Sequence, residues 1–484
     1  MEYMLLKEMI HKYENPKYEA EQIKKLLAKE ITKCNKKIIV LDDDPTGVQT
    51  VHDIYVFTDW SVDSIRKGFE APEPVFYLLT NSRSLTESQT IKVHMEIADN
   101  ILTVSGETGQ EFLIISRGDS TLRGHFPLET QVLKDRIEEK TGNKTDGEIL
   151  FPFFKEGGRF TIDDIHYVNY EGKLVPSGET EFAKDKTFGY TKSDLSEYVE
   201  EKTGGNYKAV SVVSISLESL RNLEIEYIVQ QLLTVKDFNK VIVNALDYQD
   251  VEVFCIALYR ALNLGKNFMF RTAASFIKVM GGFTEKPFLT GRDMIKNEEK
   301  HGGIIVVGSH TSKTTEQLNE LRGLEAITFI EFDSDLVLQD KLEEEVDRVV
   351  QKAELLIKDG KTAVVYTKRT LLVLENDTPK EALLRSVKIS EAVQALVGRL
   401  SVLPSFVIAK GGITSSDIGV KALQVKKALV LGQVKPGIPV WETDATSKFP
   451  GIPYIIFPGN VGNKETLKEV VQTLGIVWQK HAGH

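Results

Sequence analysis

Three consecutive carboxylates, Asp42, Asp43 and Asp44, open a run that continues through Thr46 to Gly47. The run follows KIIVL, an apolar segment typical of a buried strand. Three adjacent anions cannot all be buried without water, a metal, hydroxyl donors or basic partners. The motif indicates binding of a polyhydroxylated substrate or Mg²⁺, with one Asp as general base for a hydroxyl. An exposed turn is the alternative, because Asp, Pro and Gly are common in turns.

Arginine and hydroxyl residues follow two further apolar segments. Arg117, Asp119 and Arg123 come after EFLIIS, and Arg83 comes after VFYLLT. Arginine can bind a carboxylate or phosphate group through two parallel hydrogen bonds. A capped helix start with internal ion pairs would also explain each motif taken alone. Their joint occurrence after three strands favours a pocket for a small hydroxylated anion.

The segment FPFFKEGGRFT adds Lys155 and Arg159 beside a pair of glycines. These residues could cover the substrate or could cap a hairpin. His166, farther along the same segment, is more typical of a structural residue than of a catalytic one. No pair of histidines has the spacing of a zinc site, so we predict no zinc.

Glycines and hydroxyls follow three apolar segments in the second half of the chain. The first contains Ser309, the second contains Gly411, Gly412, Ile413 and Thr414, and the third contains Gly459 and Gly462. Such strand ends let a polyphosphate approach the backbone, and helix starts attract anions. Plain helix capping is the alternative for each one. All three together predict a nucleotide cradle.

Standard nucleotide fingerprints do not occur in the sequence. It contains neither GxGxxG nor GxxxxGK[ST], so a dinucleotide fold of the usual kind and a P-loop are not indicated. If ATP binds, it uses an unusual cradle.

These motifs need elements to position them, and the hydrophobic pattern predicts alternating strands and helices. The pattern predicts a helical extension over residues 1–36, a first α/β domain over residues 37–285 and a second α/β domain over residues 300–484. Both domains are predicted to have mainly parallel sheets with helices on both faces. Residues 159–177 predict an antiparallel hairpin added to the first sheet. In open α/β sheets, ligands bind at the carboxyl ends of the strands, where these motifs lie.

Composition limits the class of protein. The 484 residues are 42% hydrophobic and carry a formal charge of −10, which disfavours disorder and general binding of nucleic acid or anionic membranes. Two cysteines, Cys34 and Cys255, exclude a disulfide framework. With no apolar run of about 18 residues, a cytoplasmic enzyme is expected. A homodimer is expected from base rates alone.

The motifs resemble those of the four-carbon acid sugar kinases. Residues 43–47 resemble the DDxTG start of that family, 119–124 its DSTxRG motif and 151–161 its FP…GR.T segment. Residues 308–309, 411–414 and 459–462 resemble the GS, GGxT and GNxG elements of its nucleotide domain. The resemblance covers nearly the whole chain after residue 36.

This resemblance implies ATP-dependent phosphorylation of the terminal 4-hydroxyl of a sugar acid such as threonate, erythronate or 3-oxo-tetronate. It implies a first domain that binds the acid, a second that binds ATP, and Mg²⁺ held mainly by phosphates and water. The implied catalytic residues are Asp44, Asp119 and Arg123. The implied substrate-binding residues are Asp43, Thr46, Gly47, Arg83, Arg117 and Arg159. A non-kinase sugar-acid enzyme, of dehydrogenase or aldolase type, and a non-catalytic sensor are the alternatives.

Overall fold

The computed structural model describes residues 3–14, 19–296, 301–325, 327–370, 372, 374, 377–459 and 461–479. Parts of the predicted regions lie outside these ranges, including residues 1–2 of the extension, and Asn460 and residues 480–484 of the second domain. The chain forms two compact units. Unit 1 comprises Met1–Thr50 and Asp59–Glu285, and unit 2 comprises Val51–Thr58 and Lys286–His484.

The strands are, in chain order, β1 (Met4–Leu5), β2 (Lys37–Asp42), β3 (Ile54–Phe57), β4 (Val75–Leu79), β5 (Phe112–Arg117), β6 (Gly147–Phe151), β7 (Arg159–Ile162), β8 (Ile165–Tyr170), β9 (Lys173–Pro176), β10 (Val213–Ile215), β11 (Asn239–Val243), β12 (Phe268–Thr272), β13 (Ile304–Val307), β14 (Ile327–Phe332), β15 (Thr362–Thr367), β16 (Val407–Lys410), β17 (Lys427–Lys435), β18 (Ile438–Thr443) and β19 (Pro453–Phe457).

The α-helices are α1 (Leu6–Lys12), α2 (Ala20–Lys33), α3 (Val62–Glu70), α4 (Glu87–Thr108), α5 (Leu128–Thr141), α6 (Leu195–Lys202), α7 (Leu217–Arg221), α8 (Ile225–Thr234), α9 (Tyr248–Asn263), α10 (Ala274–Met280), α11 (Gly291–Met294), α12 (Ser312–Glu320), α13 (Leu342–Lys358), α14 (Pro379–Gly398), α15 (Gly412–Asp417) and α16 (Thr466–Gln479). Among the described residues, no helix is both long and apolar enough to cross a bilayer.

The main sheet of unit 1 is entirely parallel, in the order β10-β11-β6-β12-β5-β2-β4. Every residue of β2, β4 and β6 is buried, which requires cover on both faces of the sheet. The predicted α/β fold class is therefore confirmed. Register places Asp42, Arg117 and Thr272 side by side at the carboxyl ends of three neighbouring strands.

The segment predicted as a hairpin added to that sheet forms a separate antiparallel sheet in the order β1-β9-β8-β7. A backbone bridge connects it to the residues that follow β11, because Thr161 and Ala245 exchange hydrogen bonds of 3.1 and 3.0 Å. Both backbone edges of β8 are already hydrogen-bonded to antiparallel strands, so β8 cannot also pair with the parallel sheet. The predicted helical extension likewise begins as a strand, because Met4 and Leu5 pair with β9.

The sheet of unit 2 has the order β3-β17-β18-β19-β16-β13-β15-β14. The last five strands in this order are parallel to one another, whereas the pairs β3-β17, β17-β18 and β18-β19 are antiparallel. Residues 51–58 fall inside the predicted first domain but belong to unit 2, because Ile54–Phe57 pairs with residues 427–430 of β17.

Candidate functional site

Carboxylates and arginines meet at the carboxyl ends of β2, β4 and β5 in unit 1. Arg117 Nη1 lies 3.3 Å from Asp42 Oδ1 and 3.5 Å from Asp43 Oδ1. Arg83, from the loop after β4, binds Asp43 through Nη2 at 2.6 Å and Nε at 3.2 Å. Its Nη1 lies 3.4 Å from Asp44 Oδ2. The structure thus brings these five predicted and neighbouring residues into one cluster.

The three adjacent carboxylates differ in their proton affinity. Burial raises the pKa of Asp42 to about 7, although Arg117 opposes the shift. Burial also raises the pKa of Asp43, against the effects of Arg83 and Arg117. Burial acts on Asp44 as well, but Arg83 and neighbouring hydrogen bonds outweigh it and leave the pKa of Asp44 below its ordinary value. At neutral pH, Asp44 is therefore the carboxylate of this run that is most firmly ionised.

Thr46 and Gly47 shape the loop that carries these carboxylates. Thr46 N donates to Asp44 Oδ1 at 2.8 Å, which is an Asx turn. A Cβ placed on Gly47 would lie 2.0 Å from Asp42 Oδ2. Only glycine fits there, because the backbone of the loop lies directly against the Asp42 carboxylate.

Asp119 and Arg123 lie in the loop after β5. Arg123 Nε donates to Asp119 Oδ2 at 2.6 Å, and the Thr121 hydroxyl donates to the same oxygen. Burial opposes ionisation, but Arg83 and Arg123 hold the pKa of Asp119 well below its usual range. Asp119 is therefore an anion already satisfied by protein donors, and its side chain is 13% exposed.

Arg123 and Arg159 form a second cationic feature beside Asp119. Both guanidinium groups lie over the ring of Phe182, 5.1 and 5.8 Å from its centroid. Burial lowers the pKa of Arg159, and its Nε is a buried donor without a hydrogen-bond partner among the described residues. Two neighbouring guanidiniums with a spare donor have the chemistry to bind a carboxylate.

Two other residues of the predicted segment have protein partners. His166 is buried, with Nε2 2.7 Å from Ser120 O and Nδ1 3.0 Å from Thr161 Oγ1. Burial lowers its pKa to about 4. Lys155 Nζ lies 2.7 Å from Asp247 Oδ1 at the surface. His166 is thus a neutral side chain that supports the loop carrying Asp119 through its hydrogen bond with Ser120.

Arg271, at the end of β12, is part of this site and was missed by the sequence analysis. Its Nη1 donates to Ser116 Oγ at 2.9 Å and to Glu129 Oε2, and its Nη2 lies 3.5 Å from Arg123 O. A Cβ on Gly118 would lie 2.3 Å from Arg271 Cζ. The arginine therefore fills the space beneath the loop that carries Asp119. Recognising FMFRT as a strand would have placed Arg271 at a strand end.

In unit 2, the three predicted loops meet at one carbonyl oxygen, that of Gly459. Thr311 and Thr314 donate to it through their hydroxyls at 3.3 and 3.2 Å, and Lys410 Nζ donates at 3.3 Å. The Thr314 hydroxyl also lies 3.2 Å from Ser309 Oγ. The loops after β13, β16 and β19 are therefore tied together.

The glycines of these loops allow very close packing. A Cβ on Gly308 would lie 2.2 Å from Thr414 Oγ1, and Gly411 has a φ of 123°, which disfavours any larger residue. A Cβ on Gly459 would lie 3.3 Å from Ser309 Oγ. Ser309, Thr414 and the glycines thus share one small region. Within that set of predicted residues, Ile413 is 71% exposed.

The remaining predicted glycines lie at helix starts. Gly412 is the first residue of α15, and Gly462 has a φ of 80° in the turn before α16. Arg369, after β15, was missed by the sequence analysis. Its Nη2 donates to Ser309 O at 2.5 Å and to Thr315 Oγ1 at 3.0 Å. It therefore anchors the Ser309 loop from a fourth strand end.

Two family models match the chain. The model of a sugar-binding N-terminal domain matches residues 38–280, and that of a nucleotide-binding C-terminal domain matches residues 304–467. The chain belongs to the four-carbon acid sugar kinase family. The family resemblance of the motifs is thereby confirmed. No curated protein matches the sequence.

Two solved structures of this fold are similar over most of their length. One is a Salmonella typhimurium LT2 protein described as a proposed tRNA synthase, with a TM-score of 0.64 and 14% identity, covering 90% of this chain and 98% of that one. The other is the Haemophilus influenzae protein HI1011, with a TM-score of 0.58 and 15% identity, covering 90% and 100%. At these identities the likeness concerns the fold.

Proposed function

We propose that this protein is an ATP-dependent kinase that phosphorylates the terminal 4-hydroxyl of a four-carbon sugar acid. The observation that carries the proposal is the match of a sugar-binding and a nucleotide-binding model to one chain, each over a unit with clustered strand-end motifs. In this proposal, unit 1 binds the acid and unit 2 binds ATP. Threonate, erythronate and 3-oxo-tetronate are the candidate acceptors.

Arg123 and Arg159 are the proposed ligands of the acid carboxylate. They are adjacent over Phe182, and Arg159 has a buried donor without a partner among the described residues. Arg83 and Arg117 are already engaged with Asp42 and Asp43, so they are better suited to fixing those carboxylates than to binding a second anion.

Asp44 and Asp119 are the proposed acceptors for the proton of the attacking hydroxyl. In the transfer, the hydroxyl oxygen forms a bond to the γ-phosphorus, the bond from that phosphorus to the β,γ-bridging oxygen breaks, and ADP leaves. The hydroxyl proton passes to a carboxylate. Both carboxylates have lowered pKa values. A weak base is adequate because phosphoryl transfer depends mainly on positioning and charge stabilisation.

Ser309, Gly411, Gly412, Thr414 and Gly459 are the proposed residues around the nucleotide phosphates, with Ile413 and Gly462 at the edge of the same loops. Close backbone approach is what a phosphate cradle needs. Among the described residues, no three His, Cys, Asp or Glu side chains are grouped as a metal site would require. Mg²⁺ prefers phosphate oxygens and water, so we propose that it arrives bound to ATP.

The deciding experiment measures ADP release by a coupled assay with each of the three acids, with and without ATP. A kinase releases one ADP for each acid phosphorylated, and only when both substrates are present. A sensor binds an acid without ADP release, and a dehydrogenase or aldolase converts it without ATP. Either result overturns the proposal.

Variants of unit 1 test the assignment of roles. Asp44→Asn, Asp119→Asn and Arg123→Ala should each lower kcat about 100-fold or more, while the affinity for ATP stays unchanged. Asp63→Asn, an exposed carboxylate on α3, is the matched control and should behave as wild type. An equal loss of ATP affinity in the first three variants would instead place these motifs at the nucleotide.

A further inference from the structure

Lys410, the last residue of β16, has a buried side-chain nitrogen that the proposed reaction does not use. Its side chain is 0% exposed. Its Nζ donates to Pro458 O at 2.6 Å and to Gly459 O at 3.3 Å, and lies 4.0 Å from the centroid of the Phe457 ring. Among the described residues, no carboxylate forms an ion pair with it. A buried cation held only by carbonyls and a ring is costly.

The position of Lys410 indicates what could offset the energetic cost of burying its charge. It directly precedes Gly411 and Gly412, and the carbonyl of Gly459 that it binds also accepts from Thr311 and Thr314. Lys410 therefore connects the two glycine loops that the proposed function assigns to the phosphates. An anionic phosphate at those loops would supply the negative charge that the described side chains around Lys410 do not.

We propose that Lys410 is a positioning residue of the nucleotide site, which holds the Gly459 loop in place and takes up a proton when a nucleoside polyphosphate binds. This inference rests on the proposed function of unit 2. It identifies the ligand class as one with adjacent phosphate groups, since an uncharged nucleoside would offer no compensating charge.

The charges around Lys410 support this behaviour. Burial, with a smaller contribution from the like charge of Lys313 in the first turn of α12, lowers the pKa of Lys410 to about 7. Of the described residues, Pro458 and Gly459 in the loop after β19 contribute two carbonyls, and β19 itself contributes the Phe457 ring. At pH 7.5 most Lys410 is therefore neutral in the free protein, and a bound polyphosphate favours the charged form.

Calorimetric titration of the full chain with ATP at pH 7.5, in two buffers of different ionisation enthalpy, measures the protons taken up. Because ATP itself exchanges protons, the quantity of interest is the difference between wild type and Lys410→Met. We expect about 0.8 proton, from the fraction of a group of pKa about 7 that is neutral at this pH. Adenosine, which has no phosphate, should give no difference.

Lys410→Met should weaken ATP binding about 10-fold or more, whereas Lys410→Arg should keep much of the affinity and lose the proton uptake, because arginine is always charged. Lys421→Met is the matched control, an exposed lysine of unit 2 that pairs with Asp417. The melting temperatures of wild type and of each variant are also measured without ligand. A purely structural lysine would lower the melting temperature of the Met variant and leave proton uptake unchanged.

The outcomes are separable. If wild type binds no ATP, the proposed function of unit 2 fails. If wild type binds ATP and folded Lys410→Met shows the same affinity and the same proton uptake, the inference about Lys410 is wrong. Should the Met variant not fold, Lys410→Arg decides, since proton uptake equal to that of wild type in this variant also overturns the inference.

Discussion

Arg83 holds both carboxylate oxygens of Asp43, with Nη2 2.6 Å from Oδ1 and Nε 3.2 Å from Oδ2. The two residues follow neighbouring parallel strands, β4 and β2, so the pairing is a direct result of the sheet order. Asp43 is 2% exposed and Arg83 is 22% exposed. A buried anion thus depends on a cation at the edge of solvent, and two-point binding fixes the orientation of both.

Removing this cation should therefore cost stability. Arg83→Ala leaves Asp43 buried with the less direct cations Arg117 and Arg271, and we expect a loss of about 3 kcal/mol in the free energy of unfolding. Arg83→Lys should recover part of it, because lysine restores the charge without the two-point geometry. Urea unfolding measures both variants. Arg66→Ala, which removes a surface pair with Glu107, is the control and should cost less than about 1 kcal/mol. Equal losses for Arg83→Ala and Arg66→Ala would contradict the prediction.

Gly47→Ala tests the close packing of the acidic loop. The new Cβ would overlap Asp42 Oδ2, so the loop must move and take Asp44 with it. We expect a loss of about 2 kcal/mol in unfolding free energy and a large fall in the proposed kinase activity. Gly106→Ala is the matched control, because it lies inside α4 with open space around the new methyl group. That variant should gain about 0.5–1 kcal/mol, from helix propensity. A neutral Gly47→Ala would show that the loop is not packed as described.

His166 should make stability fall in acid. Its pKa is about 4 in the folded protein and near 6.5 in an unfolded chain, so the unfolded state binds more protons between these values. The contribution is complete above pH 6.5 and is lost as the pH falls towards 4, by about 3 kcal/mol. Asp42 acts in the opposite sense, because its raised pKa favours the folded state as the pH falls below 7.

The difference between wild type and His166→Gln isolates the histidine from Asp42. Glutamine can keep one donor and one acceptor towards Ser120 and Thr161. We expect the variant to be less stable than wild type at pH 7.5 and to close that gap, or reverse it, by pH 4.5. Urea unfolding at several pH values provides the measurement. A constant difference across this range would show that His166 does not titrate as described.

Much of the fold was predictable because its central strands are buried on both faces and read as apolar runs. Asp42, Arg83 and Arg117 could be expected to meet for the same reason, since each follows such a run. The pairing of Ile54–Phe57 with β17 was not predictable, because it joins segments about 370 residues apart by an antiparallel edge that leaves no local signal.

The sequence assigned no role to Arg271 or to Lys410, for different reasons. Arg271 is the penultimate residue of a strand, FMFRT, that contains the charge itself, so its sequence did not indicate a buried strand. Lys410 directly precedes the glycines, but no sequence rule states that its side-chain nitrogen is buried and bound to carbonyls of another loop. Both depend on tertiary contacts between strand ends that only the folded chain brings together.

We expect Arg271 to support the loop that carries Asp119 through its ion pair with Glu129. Arg271→Met leaves Glu129 buried without its cation, so we expect a loss of about 3 kcal/mol at pH 8. The loss should shrink towards pH 5, because the pKa of Glu129 is held down by Arg271 and will rise once the arginine is gone. Activity should fall as well, because the Arg123 carbonyl loses its donor and the loop bearing Asp119 can shift.

The double variant Glu129→Gln/Arg271→Met separates charge from packing. If the shared charge matters, the double variant is more stable at pH 8 than Arg271→Met alone, and a double-mutant cycle gives a coupling above about 1 kcal/mol. Activity should stay low in both, since neither restores a donor beneath Arg123. A coupling near zero would mean that Arg271 acts only by filling the space below Gly118 and Gly124.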